Sequence, residues 1–198
     1  MSRKKLAVIF PGIGYHKDKP LLYYATKLVK GAGYDVISIE YHDMPEKIKG
    51  NETMMKKAVE IAYAQTEEQL KDVECSEYDD VIFIGKSIGT VVLSKWCASE
   101  HEINAKQIWY TPVEATFSFP ADNVVAFIGD LDPWSDVDVI KEKAEACGIK
   151  LFSYPGGDHS LETGNVSVDI KNIHEVMKIT EDFIAGRGVV HGDGGTGS

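Results

Sequence analysis

The stretch VIFIGKSIGTVV, residues 81–92, joins a run typical of a buried β-strand to a segment with the apolar spacing of a helix. Ser87 stands at the junction, between Gly85 and Gly89. A sharp strand-to-helix turn makes neighbouring side chains collide unless the positions two before and two after the bend are very small. The pattern therefore predicts a hydroxyl held at the carboxyl edge of a sheet, above the N-terminus of the next helix.

Strand-like and helix-like segments alternate along the rest of the chain. The strand-like runs are nearly continuous in apolar residues, as expected for strands buried on both faces; they cover residues 5–10, 34–41, 80–84, 106–110, 124–128 and 150–154. Segments with helical spacing cover residues 20–30, 52–73, 88–100, 137–147 and 168–185. This alternation predicts a three-layer α/β fold in which helices cover both faces of a mainly parallel sheet of about six strands.

Length and composition predict one globular domain over residues 1–186. The chain has 198 residues, of which 43% are hydrophobic, and no Pro/Gly/Ser-rich linker divides it. Residues 187–198 carry too little apolar surface to fold and are interpreted as a flexible tail or a remnant of expression. The sequence leaves the oligomeric state open.

Charge and cysteine content exclude several classes of function. A net charge of −10 makes nucleic-acid or anionic-membrane binding improbable, and no apolar run approaches the roughly 20 residues that span a bilayer. Cys75, Cys97 and Cys147 show neither zinc-ligand spacing nor a disulfide framework. The apolar run after the basic N-terminus breaks without a cleavage site, so we expect a cytoplasmic protein. We also expect no metal and no cofactor.

Two further loops carry chemistry after predicted strands. The fifth strand runs into GDLDPW, residues 129–134, and the sixth into PGGDHS, residues 155–160. A serine hydroxyl is a poor nucleophile without a base, and the base needs an acceptor that fixes its tautomer. The chain order of serine, aspartate and histidine supplies all three groups at strand ends. The loop before Trp134 offers two carboxylates, those of Asp130 and Asp132.

These motifs resemble the α/β-hydrolase family, and the resemblance covers the chain to about residue 185. The resemblance rests on three motifs: GKSIG at residues 85–89, GDLDPW at residues 129–134 and GDHSL at residues 157–161. Within the family the chain looks most like small serine hydrolases without a cap, related to dienelactone hydrolases and carboxylesterases. Relatives with a cap usually insert it after the fourth strand, where only residues 111–123 are available here.

The resemblance implies a role for each residue of the three motifs. Ser87 corresponds to the nucleophile, His159 to the general base and Asp132 to the orienting acid. Asp132 is preferred to Asp130 because the family's acid usually follows the Gly-x-x of this loop, next to a proline. Asp158 adjoins the histidine in sequence and is expected to point elsewhere.

Two backbone amides are expected to form the oxyanion hole. One belongs to Ile88, the residue after the nucleophile, and the other to the loop after the first strand, where Ile13 is the first candidate and Gly14 the second. Many relatives carry His-Gly in this loop, whereas this chain has Pro-Gly at residues 11–12. A dinucleotide-binding loop is the competing interpretation, but Lys17 stands where that pattern needs its third glycine.

The resulting hypothesis is a serine hydrolase acting on small carboxylic esters or thioesters through an acyl-enzyme. The alternatives are a binding module that keeps the fold without the chemistry, and an acyltransferase that uses the same three residues. Trp134 is interpreted equally as a wall of the substrate pocket or as packing on a neighbouring helix. Lys86, beside the serine, is expected to be exposed to solvent, and His42-Asp43 to be a solvated loop pair.

Overall fold

The computed structural model describes residues 3–99 and 105–188. The strands are β1 Lys5–Phe10, β2 Asp35–Ser38, β3 Asp80–Lys86, β4 Lys106–Tyr110, β5 Val124–Gly129 and β6 Lys150–Tyr154. The helices are α1 Pro20–Gly31, α2 Glu52–Leu70, α3 Ile88–Ser99, α4 Val137–Ala146 and α5 Val166–Ile184. Short 3-10 turns lie at Cys75–Glu77 and Glu114–Ser118.

All six strands form one parallel sheet in the order β2-β1-β3-β4-β5-β6. The register pairs Phe10 of β1 with Gly85 of β3, and Gly129 of β5 with Tyr154 of β6. The carboxyl ends of these strands therefore reach one edge of the sheet. Their following loops, which carry the three motifs, meet at that edge.

Side chains of each strand alternate between two hydrophobic layers. In β1, Ala7 and Ile9 pack in the layer formed with α1 and α5, while Leu6, Val8 and Phe10 pack in the layer formed with α2, α3 and α4. All five side chains are fully buried. Burial on both faces explains why the strands are continuous apolar runs, and the prediction of a three-layer α/β fold is confirmed.

The second strand is shorter than predicted. The sequence predicted residues 34–41, but pairing with β1 ends near Ser38, with a last ladder bond from Ile39 N–H to Ile9 O at 2.9 Å. Beyond it, Gln69 of α2 holds both backbone groups of Glu40, and Gln65 does the same for His42. Side chains of α2 thus replace the neighbouring strand as hydrogen-bond partners.

The other boundaries differ from the predictions by up to three residues. Helix α2 ends at Leu70 instead of Val73, which is the largest difference at a helix end. Helix α5 begins at Val166, where the Asn165 side chain accepts hydrogen bonds from the N–H groups of Ser167 and Val168. Of the predicted tail, residues 189–198 lie outside the described residues.

Candidate active site

The backbone at Ser87 turns sharply between β3 and α3. Ser87 has φ +56°, in the left-handed region that non-glycine residues rarely adopt. Its N–H still donates to Tyr110 O of β4 at 3.0 Å, so the neighbouring strand holds the residue in place. A strained residue with a reactive side chain at a sheet edge is typical of a functional turn.

The two glycines of the motif leave room for this turn. A Cβ atom at Gly89 would overlap Phe10 O and lie 2.6 Å from Pro11 O. A Cβ atom at Gly85 would overlap Leu93 and lie 2.9 Å from Thr90 N. Any larger residue would push α3 away from the end of β3, and with it the serine.

A continuous chain of short contacts runs from Ser87 to Asp132. The Ser87 Oγ atom lies 2.7 Å from His159 Nε2, and His159 Nδ1 lies 2.7 Å from Asp132 Oδ2. The Asp132 side chain is completely buried, and its Oδ1 accepts the N–H of Trp134 at 2.9 Å. Since a carboxylate only accepts hydrogen bonds, Nδ1 of a neutral imidazole donates to Asp132, which leaves Nε2 free to accept the serine proton.

The other two aspartates of these loops have structural partners instead. Asp130 Oδ1 accepts the N–H of Gly156 at 2.6 Å, and Asp158 Oδ1 accepts those of Ser160 and Glu162. The loop pairing is completed by Leu131 N–H, which donates to Gly157 O at 3.0 Å. Asp130 and Asp158 therefore shape the two loops, while Asp132 is the one of the three whose side chain hydrogen-bonds the His159 imidazole among the described residues.

The loop after β1 places backbone amides beside Ser87. Gly12 and Tyr15 close a tight turn through reciprocal backbone hydrogen bonds, and a Cβ atom at Gly12 would lie 3.3 Å from Ser87 Cβ. Ile13 and Gly14 form the tip of this turn, and neither N–H donates to a backbone carbonyl within the described residues. Ile88 is the first residue of α3, so its N–H has no partner in the helix. The amides of Ile13, Gly14 and Ile88 are the ones that the sequence predicts for the oxyanion hole.

Burial sets the ionisation of His159. Its side chain is 15% exposed, and burial lowers its pKa below the ordinary value of 6.5. The hydrogen bond to Asp132 acts in the opposite direction, while the charge of Lys86 lowers the pKa further. The imidazole is therefore neutral at pH 7, which is the form that accepts a proton.

The expectation that Lys86 is exposed is wrong. Its side chain is fully buried, its Nζ has no hydrogen-bond partner in the described part of the chain, and burial lowers its pKa to about 7. Nζ lies 4.8 Å from the ring centroid of Tyr15. The cause is the loop after β1, which covers the end of β3 and brings Tyr15 over the lysine. Nothing in the local sequence around residue 86 predicts this cover.

A cavity of about 220 Å³ opens at Ser87 and His159. Its walls come from the carboxyl ends of β1, β2, β3, β5 and β6 and the loops that follow them, and they include Ile13, Lys19, Lys86, Trp134, Asp158 and Ser160. The indole of Trp134 stacks on the imidazole of His159, with centroids 5.4 Å apart and an angle of 26° between the planes. Trp134 thus forms a wall beside the histidine. A second cavity of about 410 Å³ shares Ile13 and Gly14 with the first.

Other classes of site find little support in the described residues 3–99 and 105–188. Those residues contain no cluster of His, Cys, Asp and Glu suited to a metal ion. His42 and Asp43 lie in an exposed loop. None of the described helices has the length and apolar character needed to cross a membrane.

Comparison with known proteins identifies the fold. The sequence matches no protein-family model and no curated protein. Among solved structures, it resembles an esterase from Pyrococcus furiosus at 13% identity with a TM-score of 0.66, covering 94% of this chain and 84% of that one. It also resembles Est1E of Butyrivibrio proteoclasticus with bound ferulic acid, at 13% identity and a TM-score of 0.68, covering 93% and 90%.

A third structure is described as an α/β serine hydrolase homologue from Coxiella burnetii. The identity is 14%, the TM-score 0.60, and the match covers 88% of this chain and 84% of that one. Identities this low establish the fold and not the activity. In the described residues only a 3-10 turn lies between β4 and β5, the position where relatives with a cap insert it, as the sequence predicted. The chain therefore has the α/β-hydrolase fold in its compact form, without a cap domain.

Proposed function

We propose that this protein is a serine hydrolase that cleaves small carboxylic esters or thioesters through an acyl-enzyme on Ser87. The observation that carries the proposal is the contact chain from Ser87 through His159 to Asp132, with both links at 2.7 Å. Fold alone does not determine activity, so the proposal rests on this geometry. Esterases among the similar structures support the same class of reaction.

The chemistry begins with the serine hydroxyl. His159 Nε2 accepts the hydroxyl proton as the serine oxygen forms a bond to the acyl carbon, and the carbonyl electron pair moves to its oxygen. Asp132 stabilises the imidazolium that results. In this mechanism the N–H groups of Ile88 and of Ile13 or Gly14 donate to the oxyanion, aided by the N-terminus of α3.

Release of the product reverses the same proton transfers. The imidazolium gives its proton to the departing alcohol or thiol, and the carbonyl reforms as an ester on Ser87. A water molecule then attacks this ester while His159 accepts the water's proton. The carboxylic acid leaves when Ser87 takes its proton back, so the cycle consumes one water and needs no other reactant.

The cavity limits the acyl group to a short chain. Its volume of about 220 Å³ lies below the range of roughly 300–1,000 Å³ found for pockets that hold drug-sized ligands. The adjoining cavity at Ile13 and Gly14 offers space on the other side of the proposed oxyanion hole. We place the acyl part beside Trp134 and the leaving group toward this second cavity.

Free thiols are consistent with a reducing compartment. Among the described residues, Cys97 and Cys147 form no disulfide, and disulfides persist chiefly outside the cytosol. We therefore keep the cytoplasm as the proposed location.

Covalent labelling tests the function without a known substrate. The protein is exposed to a fluorophosphonate and its intact mass is measured, alongside Ser87→Ala, His159→Ala and the control Ser160→Ala. Ser160 lines the same cavity but does not belong to the contact chain. We expect one adduct on the wild type and on Ser160→Ala, and none on the other two variants.

The alternatives give different results. A folded wild-type protein that takes no adduct would contradict an activated Ser87 and favour a binding module. An adduct that persists in Ser87→Ala would place the nucleophile elsewhere. Product analysis with an added alcohol separates hydrolysis from acyl transfer, because a transferase forms a new ester.

A further inference from the structure

The cavity beside Ser87 is lined by a buried lysine, Lys86, whose only recorded contact among the described residues is with the ring of Tyr15. Lys86 Nζ is buried and makes no hydrogen bond within the described residues, and none of the ion pairs found there involves Lys86. Taking an ammonium group out of water without a partner is strongly unfavourable. A buried polar group left unsatisfied needs an explanation, and in a ligand cavity the ligand can supply it.

A second lysine stands on the same aromatic ring. Lys19 Nζ lies 5.1 Å from the ring centroid of Tyr15, against 4.8 Å for Lys86 Nζ, and both lysines line the cavity that contains Ser87. The side chain of Lys19 makes no ion pair with the carboxylates of the described segments. Tyr15 is held in place because its hydroxyl accepts the N–H of Leu21 at 3.1 Å. Lys19 and Lys86 thus share one aromatic neighbour and line the same cavity.

The carboxylates of Asp132 and Asp158 act on Lys86 through their charge, but their recorded hydrogen bonds go to other groups. Asp132 contacts His159, and Asp158 Oδ1 accepts two loop N–H groups. A third lysine, Lys49, lies 5.6 Å from the ring centroid of Trp134 on the cavity wall. Two lysines therefore line the cavity and a third lies against its Trp134 wall, in a chain whose net charge is −10. In a water-poor site such charges act more strongly than at an exposed surface.

We propose that Lys19 and Lys86 form an anion subsite, so that the preferred substrates are monoesters of short dicarboxylic acids. This inference rests on the proposed esterase function. The ester carbonyl would lie at Ser87, and the free carboxylate at the far end of the acyl chain would face the two lysines. Lys19, which is half-buried, makes the direct contact, and Lys86 adds its charge from beneath.

The size and charge of the cavity favour a monocarboxylate over a phosphate. About 220 Å³ holds an acyl chain of only a few carbons together with its carboxylate. Asp158 lines the same cavity, and its charge would repel a dianion more than a monoanion. A bound carboxylate also stabilises the charged form of Lys86, which burial alone disfavours.

The test compares two substrates of equal length, ethyl hydrogen glutarate and ethyl pentanoate, which differ only in the terminal carboxylate. Hydrolysis is followed by chromatography at pH 6.5 and low salt. We expect the wild type to favour the glutarate ester by about tenfold or more in kcat/KM, and this ratio to fall toward one in Lys19→Met and Lys86→Met. Added salt should reduce the ratio as well.

Lys27→Met is the matched control. Lys27 lies on α1 and, like Lys19 and Lys86, has its Nζ near a tyrosine ring, 5.3 Å from the centroid of Tyr23, but it is exposed and outside the cavity. Its substitution should leave the ratio unchanged. A wild-type enzyme that hydrolyses ethyl pentanoate at least as well as the glutarate ester would overturn the anion subsite and leave the esterase function standing.

A binding measurement separates failure of the subsite from failure of the function. In Ser87→Ala, calorimetry compares binding of ethyl hydrogen glutarate with that of ethyl pentanoate. Tighter binding of the glutarate ester, weakened in the Ser87→Ala, Lys19→Met double variant, supports the subsite even if the wild type hydrolyses neither ester. Equal binding of the two esters overturns it.

Discussion

The indole ring of Trp134 stacks on the imidazole of His159, with the ring centroids 5.4 Å apart. The same residue donates its backbone N–H to Asp132, so Trp134 contacts both of the other members of the contact chain that begins at Ser87. The indole packs against one face of the imidazole, while Asp132 accepts a hydrogen bond from its Nδ1. Two contacts thus orient the proposed base, His159: the hydrogen bond to Asp132 and the stacking with Trp134.

Removing the ring should loosen the histidine without removing its hydrogen bond. We expect Trp134→Ala to lower kcat/KM by about tenfold, because aromatic stacking contributes about 0.5–1.5 kcal/mol. Trp134→Phe keeps a ring and should lie between the two. Steady-state kinetics on a short ester measures the effect; equal activity in all three proteins would show that the stacking has no role in orienting His159.

The pH profile should report the ionisation of His159. The neutral imidazole is the active form, and burial holds the pKa of His159 below 6.5. Activity should therefore persist at pH 6.5 and decline only as the pH falls further. In Lys86→Met the removal of a nearby positive charge should move this decline to higher pH, while Asp132 and Asp158 continue to favour the imidazolium.

This shift is measured from kcat/KM between pH 5 and 8. Lys27→Met, a change in an exposed lysine, serves as the control and should retain the wild-type profile. A decline that starts above pH 6.5 in the wild type would contradict the buried, neutral histidine.

Substitution of the two aspartates in the loop after β5 should have different effects on kcat, because Asp132 contacts His159 and Asp130 contacts the loop backbone. Asp132→Asn removes the carboxylate that holds His159 Nδ1, and we expect kcat to fall by about 10³ to 10⁴-fold. Among the described residues the Asp130 side chain accepts the Gly156 N–H alone, and an asparagine oxygen at this position can also accept it. Asp130→Asn should therefore keep kcat within about tenfold. The reverse order would assign the acid to Asp130.

Local patterns predict the elements of this molecule better than they predict its contacts. Continuous apolar runs identify the strands, and Gly85 and Gly89 mark the turn at Ser87. The predicted end of β2 is wrong because the side chains of Gln65 and Gln69, far along the chain, hydrogen-bond the backbone of residues 40 and 42. The burial of Lys86 was missed for a similar reason: its cover, Tyr15, comes from another loop.

The turn at Ser87 should tolerate no side chain at Gly89. A Cβ atom there would overlap Phe10 O, so we expect Gly89→Ala to lower the free energy of unfolding by about 3 kcal/mol. Gly31→Ala, where a Cβ atom meets nothing within 4 Å, is the control and should be neutral or stabilising by about 0.5–1 kcal/mol. Urea unfolding measures both; equal stability of the two variants would show that α3 can move away from β1.

Burial of Lys86 should make the free energy of unfolding depend on pH. The pKa of Lys86 is about 7 in the folded protein and about 10.5 when the side chain is solvated. Between these values the unfolded chain binds a proton that the folded chain lacks, so this group makes the protein more stable as the pH rises from 7 to 10.5. The slope is at most about 1.4 kcal/mol per pH unit.

Lys86→Met should remove that slope. Below pH 7 the variant should be more stable than the wild type, because methionine fills the site without a charge, and the difference should shrink as the pH rises toward 10. Urea unfolding at pH 6.5, 8 and 9.5 measures the difference directly, with Lys27→Met as an exposed-lysine control. A constant difference across this range would mean that Lys86 keeps its proton in the folded protein, which requires a partner for its ammonium group.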